Sequence, residues 1–99
     1  MDLQETRKRI DAMDKELVGQ FEERLLAVID VITYKMQENL PVYDSRREDE
    51  VVAKCLQYVK HPELKTYISS YVKAIMDISK EYQHDYKEQQ ESVVSPKNK

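Results

Sequence analysis

Residues 3–38 read LQETRKRIDAMDKELVGQFEERLLAVIDVITYKMQE, a stretch that contains one glycine and no proline. Apolar side chains recur along it at alternating strides of four and three residues, which is the spacing of one face of a helix. Such a helix would be about 54 Å long, whereas a compact domain of this size is only about 26 Å across. The stretch therefore predicts one long helix, and pairing with a second copy is the simplest way to cover its apolar stripe.

Three basic side chains lie on that apolar stripe, at Arg7, Arg24 and Lys35. A charge buried on such a face costs several kcal/mol unless a partner is present, and Asp14 on the same stripe can neutralise only one of them. A single basic residue is usually explained by a packed stem with its charged head in water. Three of them in one register instead indicate a binding site for an anion.

The spacing of these residues limits how they can act together. Arg7 and Arg24 are separated by about 25 Å along one helix, so they cannot both contact one small ligand from the same chain. If both serve one site, Arg7 must come from the other subunit of an antiparallel pair. Lys35 lies about 16 Å beyond Arg24, and the two long side chains can just bracket a small molecule.

Two shorter helices are expected after a loop at residues 39–43, in which Pro41 marks the break. Asp44 or Ser45 can cap the second helix, which should end at His61-Pro62. The third helix should extend from about Pro62 to about Lys87. The sequence thus predicts an all-α fold of three helices, one long and two shorter, which intertwine in a homodimer.

The domain is expected to span residues 1–88. The apolar period fades from Glu88 onward, and residues 89–99 are predicted to form a frayed or disordered polar tail.

Polar residues also occur on the inner faces of the shorter helices. Arg47 and Glu48 align with apolar positions of the second helix. A capping box and the helix dipole also explain them, and both interpretations can hold because the cap would fix Glu48 in place. Ser79 and Gln83 are one turn apart on the third helix and could contact a ligand. The simpler explanation is that each hydrogen-bonds its neighbour or a backbone carbonyl.

Composition argues against several classes of function. A net charge of -3 gives no support for general nucleic-acid binding, and no apolar run is long enough to span a membrane. The single cysteine, Cys55, fits a reducing cytoplasm, and no secretion signal is expected at the N-terminus. His61 and His84 lack other ligands at suitable spacing, so no metal site is expected.

The ordered set of these motifs resembles the all-helical chorismate mutases. The family pattern has an arginine in an early R-x-x-I-D/S-x-x-D stretch, a second arginine after 17 positions and a lysine after 11 more. It continues with P-V-x-D-x-x-R-E and closes with S-x-x-x-Q. This sequence has them at residues 7–14, Arg24, Lys35, 41–48 and 79–83. No additional dehydratase, dehydrogenase or regulatory segment is visible, so a monofunctional enzyme is expected.

The resemblance implies rearrangement of chorismate to prephenate, on the route to phenylalanine and tyrosine, without cofactor or metal. It implies that Arg7 of the partner subunit and Arg24 hold the substrate carboxylates. Lys35 and Gln83 would donate to the ether oxygen. The same resemblance implies the remaining roles. Glu48 and the region of Asp44 would hold the ring hydroxyl, and Arg47 and Ser79 would complete the polar wall of the site.

Two alternatives remain at this point. An isochorismate pyruvate-lyase shares the fold and a cationic pocket, but the complete group at residues 44, 47 and 48 resembles the mutase version. A helical dimerisation module could use seam charges to fix its register. That second alternative leaves Glu48, Ser79 and Gln83 without a shared purpose.

Overall fold

A computed structural model describes residues 1–94 as three α-helices and one 3-10 turn. Helix α1 is Leu3–Gln37, α2 is Ser45–Gln57 and α3 is Lys65–Val94, with the 3-10 turn at Pro62–Leu64 just before α3. These residues contain no strand, so the all-α prediction with one long helix is confirmed. None of the described helices is long and apolar enough to cross a membrane.

Local capping interactions define both ends of α1. The carboxylate of Asp2 accepts a hydrogen bond from the Gln4 amide at 2.9 Å and thereby caps the first turn. At the other end Asn39 has a φ of 55°, and the Leu40 amide donates to the Lys35 carbonyl at 2.8 Å. This left-handed residue closes the helix in a Schellman motif, which turns the chain toward Pro41.

Helix α2 is capped by Asp44 and not by Ser45. The Asp44 carboxylate accepts a hydrogen bond from the Arg47 amide at 3.1 Å, so the Ser-x-x-Glu sequence is not used as a capping box. The helix ends at Gln57, earlier than the expected end at His61-Pro62.

Helix α3 continues to Val94, beyond the expected end near Lys87, so residues 89–94 belong to this helix. That the polar tail frays remains a prediction. The segment has no glycine or proline before Pro96, and its Gln and Glu residues favour helix, so nothing local stops the helix when its inner stripe ends. Residues 95–99, the rest of the predicted tail, lie outside the described part of the chain. The domain boundary at residue 88 remains a prediction.

The core lies where α3 crosses the C-terminal half of α1. Val28 and Ile32 of α1 are buried there with Val72 and Met76 of α3. Helix α2 packs against α3, yet none of its residues is fully buried.

The N-terminal half of α1 projects beyond this core. Its apolar stripe is about half exposed, as at Leu3, Ile10 and Leu17. The protomer accordingly measures 66 × 29 × 15 Å, with a radius of gyration of 17.9 Å where a compact chain of this size has about 13 Å. The chain by itself therefore leaves the apolar side chains of this half about half exposed to water.

We predict that Ile32→Ala lowers the free energy of unfolding by about 2–5 kcal/mol, because Ile32 is only 1% exposed and truncation leaves a cavity. Leu26→Ala on the same helix is the matched control, since Leu26 is 63% exposed and should cost less than about 1 kcal/mol. Urea denaturation at one fixed protein concentration measures both. Equal losses in the two variants would contradict the placement of the core.

Candidate active site

A cavity of about 160 Å³ opens between the three helices, and seven of the eight predicted site residues line it. Its apolar wall includes Val28, Val51 and Met76. The seven polar residues come from all three helices and from the loop before α2, and they are Arg24, Lys35, Asp44, Arg47, Glu48, Ser79 and Gln83.

Arg24 is held by Ser79 across the contact between α1 and α3. Its Nη1 donates to the Ser79 Oγ at 2.7 Å, and that hydroxyl donates in turn to the Ile75 carbonyl at 2.8 Å. The hydroxyl proton is thus engaged within α3, which leaves the oxygen as an acceptor for the guanidinium. The remaining Arg24 donors are available to an anion in the cavity.

Lys35 ties α1 to the loop before α2. Its Nζ donates to the Val42 carbonyl at 2.7 Å and lies 3.5 Å from the Gln83 Oε1. An ammonium has three donors, so these contacts leave one for a ligand. Because the Gln83 oxygen faces Lys35, the amide NH₂ is the part of Gln83 that can donate to a bound molecule.

Arg47 and Asp44 line the mouth of the cavity at the start of α2 and are exposed. The Asp44 carboxylate is used as the helix cap. The Arg47 Nη1 lies 3.7 Å from the Glu50 Oε2 in an exposed pair along the helix, which contributes little stability. The Arg47 side chain can therefore turn toward an anionic ligand at small cost.

Glu48 is half-buried and pairs with Lys80, a residue that sequence reasoning did not identify. The Lys80 Nζ lies 3.0 Å from the Glu48 Oε2, 3.3 Å from the Asp77 Oδ1 and 4.7 Å from the centre of the Tyr43 ring. The hydrogen bond to Glu48, aided by Asp77, raises the pKa of Lys80 above its ordinary value, although burial acts in the opposite direction.

The sequence held only a weak signal for Lys80. It follows Ser79 directly, and consecutive residues on a helix do not share a face, so it was outside the inner stripe. Its long stem nevertheless reaches the cavity, which it lines together with Glu48.

Arg7 is the one predicted site residue that does not line the cavity. It lies on the exposed N-terminal half of α1, 17 positions before Arg24. The protomer therefore brings together every predicted site residue except the one that was expected from a partner subunit.

The charges of the cavity favour a dianion. Four basic side chains and two carboxylates line it, an excess of two positive charges. Glu48 and Lys80 largely neutralise each other, and Arg47 has an exposed pair with Glu50, so the positive charge directed at the cavity comes mainly from Arg24 and Lys35. A small ligand with two carboxylates would match that charge.

A family of known proteins matches most of the chain. No solved structure matches the chain at a significant level. The family described as chorismate mutase type II matches residues 6–84, which include all of the residues named above that line the cavity. The chain therefore belongs to the type II chorismate mutases.

Proposed function

We propose that this protein converts chorismate to prephenate by a Claisen rearrangement, within the chorismate mutase-type function that its family indicates. The observation that carries the proposal is the pairing of two hydrogen-bond donors, Lys35 and Gln83, at a cavity with an excess of two positive charges. The reaction breaks the ether C–O bond as a new C–C bond forms within one molecule. It needs a held conformation and stabilised charge, and no group is transferred to the protein.

The ether oxygen gains negative charge as its C–O bond breaks. Lys35 keeps one free donor after contacting Val42 and Gln83, and the Gln83 NH₂ is the second donor on the same side. Donors already aimed at the developing charge usually contribute more to the rate than any other feature of an active site. Lys35 and Gln83 are thus the catalytic residues of the proposal, with Arg24 beside them.

The carboxylates of the substrate would be held by arginines. Arg24 is oriented by Ser79 and offers its remaining N–H groups to one carboxylate. Arg47 at the cavity mouth is free to approach the same anion. Fixing both carboxylates would hold the flexible enolpyruvyl chain over the ring in the reactive chair.

The ring hydroxyl would be held by Glu48 and the region of Asp44. Glu48 uses Oε2 for Lys80, which leaves Oε1 as an acceptor for a hydroxyl. An acceptor at this place is what favours chorismate over isochorismate, whose hydroxyl is attached at a different ring carbon.

A homodimer would complete the site. The exposed apolar half of α1 and the elongated protomer support pairing with a second copy, because such a surface is costly in water. In an antiparallel pair, Arg7 of the partner subunit would reach the second carboxylate. The free Cys55 and the small anionic substrate support a cytoplasmic enzyme on the route to phenylalanine and tyrosine.

Incubation of the purified protein with chorismate and with isochorismate tests the function. We expect prephenate from chorismate and no pyruvate from isochorismate. Chromatography of the products measures both. Release of pyruvate from isochorismate as the main reaction would instead identify a lyase, and absence of both products would leave a helical dimerisation module.

We predict that Lys35→Ala and Gln83→Ala each lower kcat by at least about 10²-fold, the usual loss when a transition-state donor is removed. Lys54→Ala on the exposed face of α2 is the control and should leave kcat unchanged. Circular dichroism and sedimentation verify that each variant is folded and assembled. A Lys35→Ala enzyme within a few fold of normal would remove Lys35 from its assigned role.

The Gln83→Glu variant tests whether residue 83 must donate a hydrogen bond or need only be polar. An amide donates at any ordinary pH, whereas a carboxyl donates only when protonated. The native kcat should be nearly flat between about pH 5 and 8, while the variant should lose activity as pH rises through that range. Superimposable pH profiles of kcat would mean that residue 83 does not donate to the reacting oxygen.

Arg7→Ala and Lys35→Ala subunits should complement each other if Arg7 acts across the dimer. Each homodimer lacks one group in both sites, but a heterodimer places both lesions in one site and leaves the other intact. Co-refolded mixtures should therefore regain about half of the native activity per heterodimer. Heterodimers that form, as seen by differential tagging, but stay inactive would show that Arg7 does not serve the partner's site.

A further inference from the structure

Lys80 joins three parts of the site that are distant in sequence. It lies on α3, contacts Glu48 of α2 at 3.0 Å and covers the ring of Tyr43 in the preceding loop at 4.7 Å. Its side chain is 26% exposed and that of Glu48 is 25% exposed, so solvent screens this pair less than a pair on the open surface. Lys80 has no direct part in the proposed rearrangement.

We propose that Lys80 is a positioning residue, which fixes the Glu48 carboxylate so that its free oxygen accepts the hydrogen bond of the substrate's ring hydroxyl. The inference rests on the proposed function, because it concerns how that substrate is recognised. Lys80 does not contact the reacting atoms. It acts through Glu48 alone.

Two observations support a structural role for the Lys80 ammonium. Glu48 is not held by a capping box, because Asp44 caps α2, so Lys80 is its ion-pair partner among the described residues. Helix α2 also buries none of its residues fully, so contacts such as this one fix its first turn against α3. Without Lys80 the Glu48 side chain could turn to other rotamers or toward Arg24 and Lys35.

The other charged groups near the pair leave Lys80 little freedom to bind the substrate itself. Asp77, on the same helix, takes a second donor of the ammonium at 3.3 Å, and the Tyr43 ring covers it. Those contacts fit a cation that is held in place, whereas Arg24 and Arg47 keep donors free for carboxylates.

A double-mutant cycle in the full-length protein tests the inference. Lys80→Met keeps the length of the stem and removes the charge, and it should lower kcat/KM for chorismate by about 10-fold, mainly through a higher KM. Lys80→Arg keeps a cation and should stay within about 3-fold of native. In Glu48→Gln protein, adding Lys80→Met should cost less than about 3-fold more, because the residue it positions is already altered.

The matched control is Asp77→Asn, which removes the other carboxylate partner of Lys80. The Asp77 side chain is 71% exposed and does not line the cavity, so this variant should keep native kcat/KM. Losses that multiply in the double variant would mean that Lys80 acts independently of Glu48. That outcome would overturn the proposal. So would a Lys80→Met variant with native kcat/KM, or a loss in Asp77→Asn as large as that in Lys80→Met.

A titration without substrate separates this inference from the proposed function. The raised pKa of Lys80 depends first on Glu48, so Glu48→Gln should lower that pKa, as followed by the ¹⁵N resonance of the ammonium. The stabilisation from the raised pKa is complete below about pH 10.5 and is lost as pH rises through the folded-state value. An unchanged titration would overturn the pairing even in an active enzyme, whereas a native protein inert toward chorismate would refute only the function.

Discussion

Arg24 and Lys35 place positive charge on the face of α1 that packs against α3, and the rest of the site follows from the need to give these charges partners. An unpaired charge on a buried seam is costly, whereas a charge with hydrogen-bond acceptors and access to a cavity is tolerated. Ser79 accepts from Arg24, and the Val42 carbonyl accepts from Lys35. These partners satisfy only part of each cation's donors, so the positive charge remains directed at the cavity.

The same contacts decide where the shorter elements lie. The Lys35 bond to Val42 holds the loop that follows the Schellman motif, and that loop delivers Asp44 as the cap of α2. Helix α2 then presents its first turn to α3, where Lys80 meets Glu48. A helix with no fully buried residue is thus fixed by polar contacts at the end that faces the cavity.

The two halves of the long helix α1 have different structural roles. Its C-terminal half forms the core and the cavity within one protomer, as shown by the burial of Val28 and Ile32. Its N-terminal half carries the same apolar period but leaves that stripe about half exposed among residues 1–94, and it carries Arg7. The C-terminal half of this stripe therefore packs in the protomer's own core. In the proposed dimer, the N-terminal half contributes to the site of a second subunit.

Local sequence determined the helices and most of the site, because hydrophobic period, proline positions and caps act over a few residues. The stripe of α1 predicted its length, and the i, i+4 spacing of Ser79 and Gln83 put both on one face of α3. Local rules were less reliable at helix ends. Helix α2 ended at Gln57, before the proline at 62 that was expected to end it, and α3 continued past Lys87, where no glycine or proline interrupts the chain.

Only the tertiary structure decided which polar groups meet. The choice of Asp44 over Ser45 as cap released Glu48 for another partner, and Lys80 could become that partner because α3 crosses beside α2. The contact between Glu48 and Lys80 does not follow from sequence spacing, since the two residues are 32 positions apart and Lys80 lies off the inner stripe. The sequence specified the chemical groups of the site, whereas the crossing of the helices set the distances between them, because side chains from separate helices are brought together only by packing.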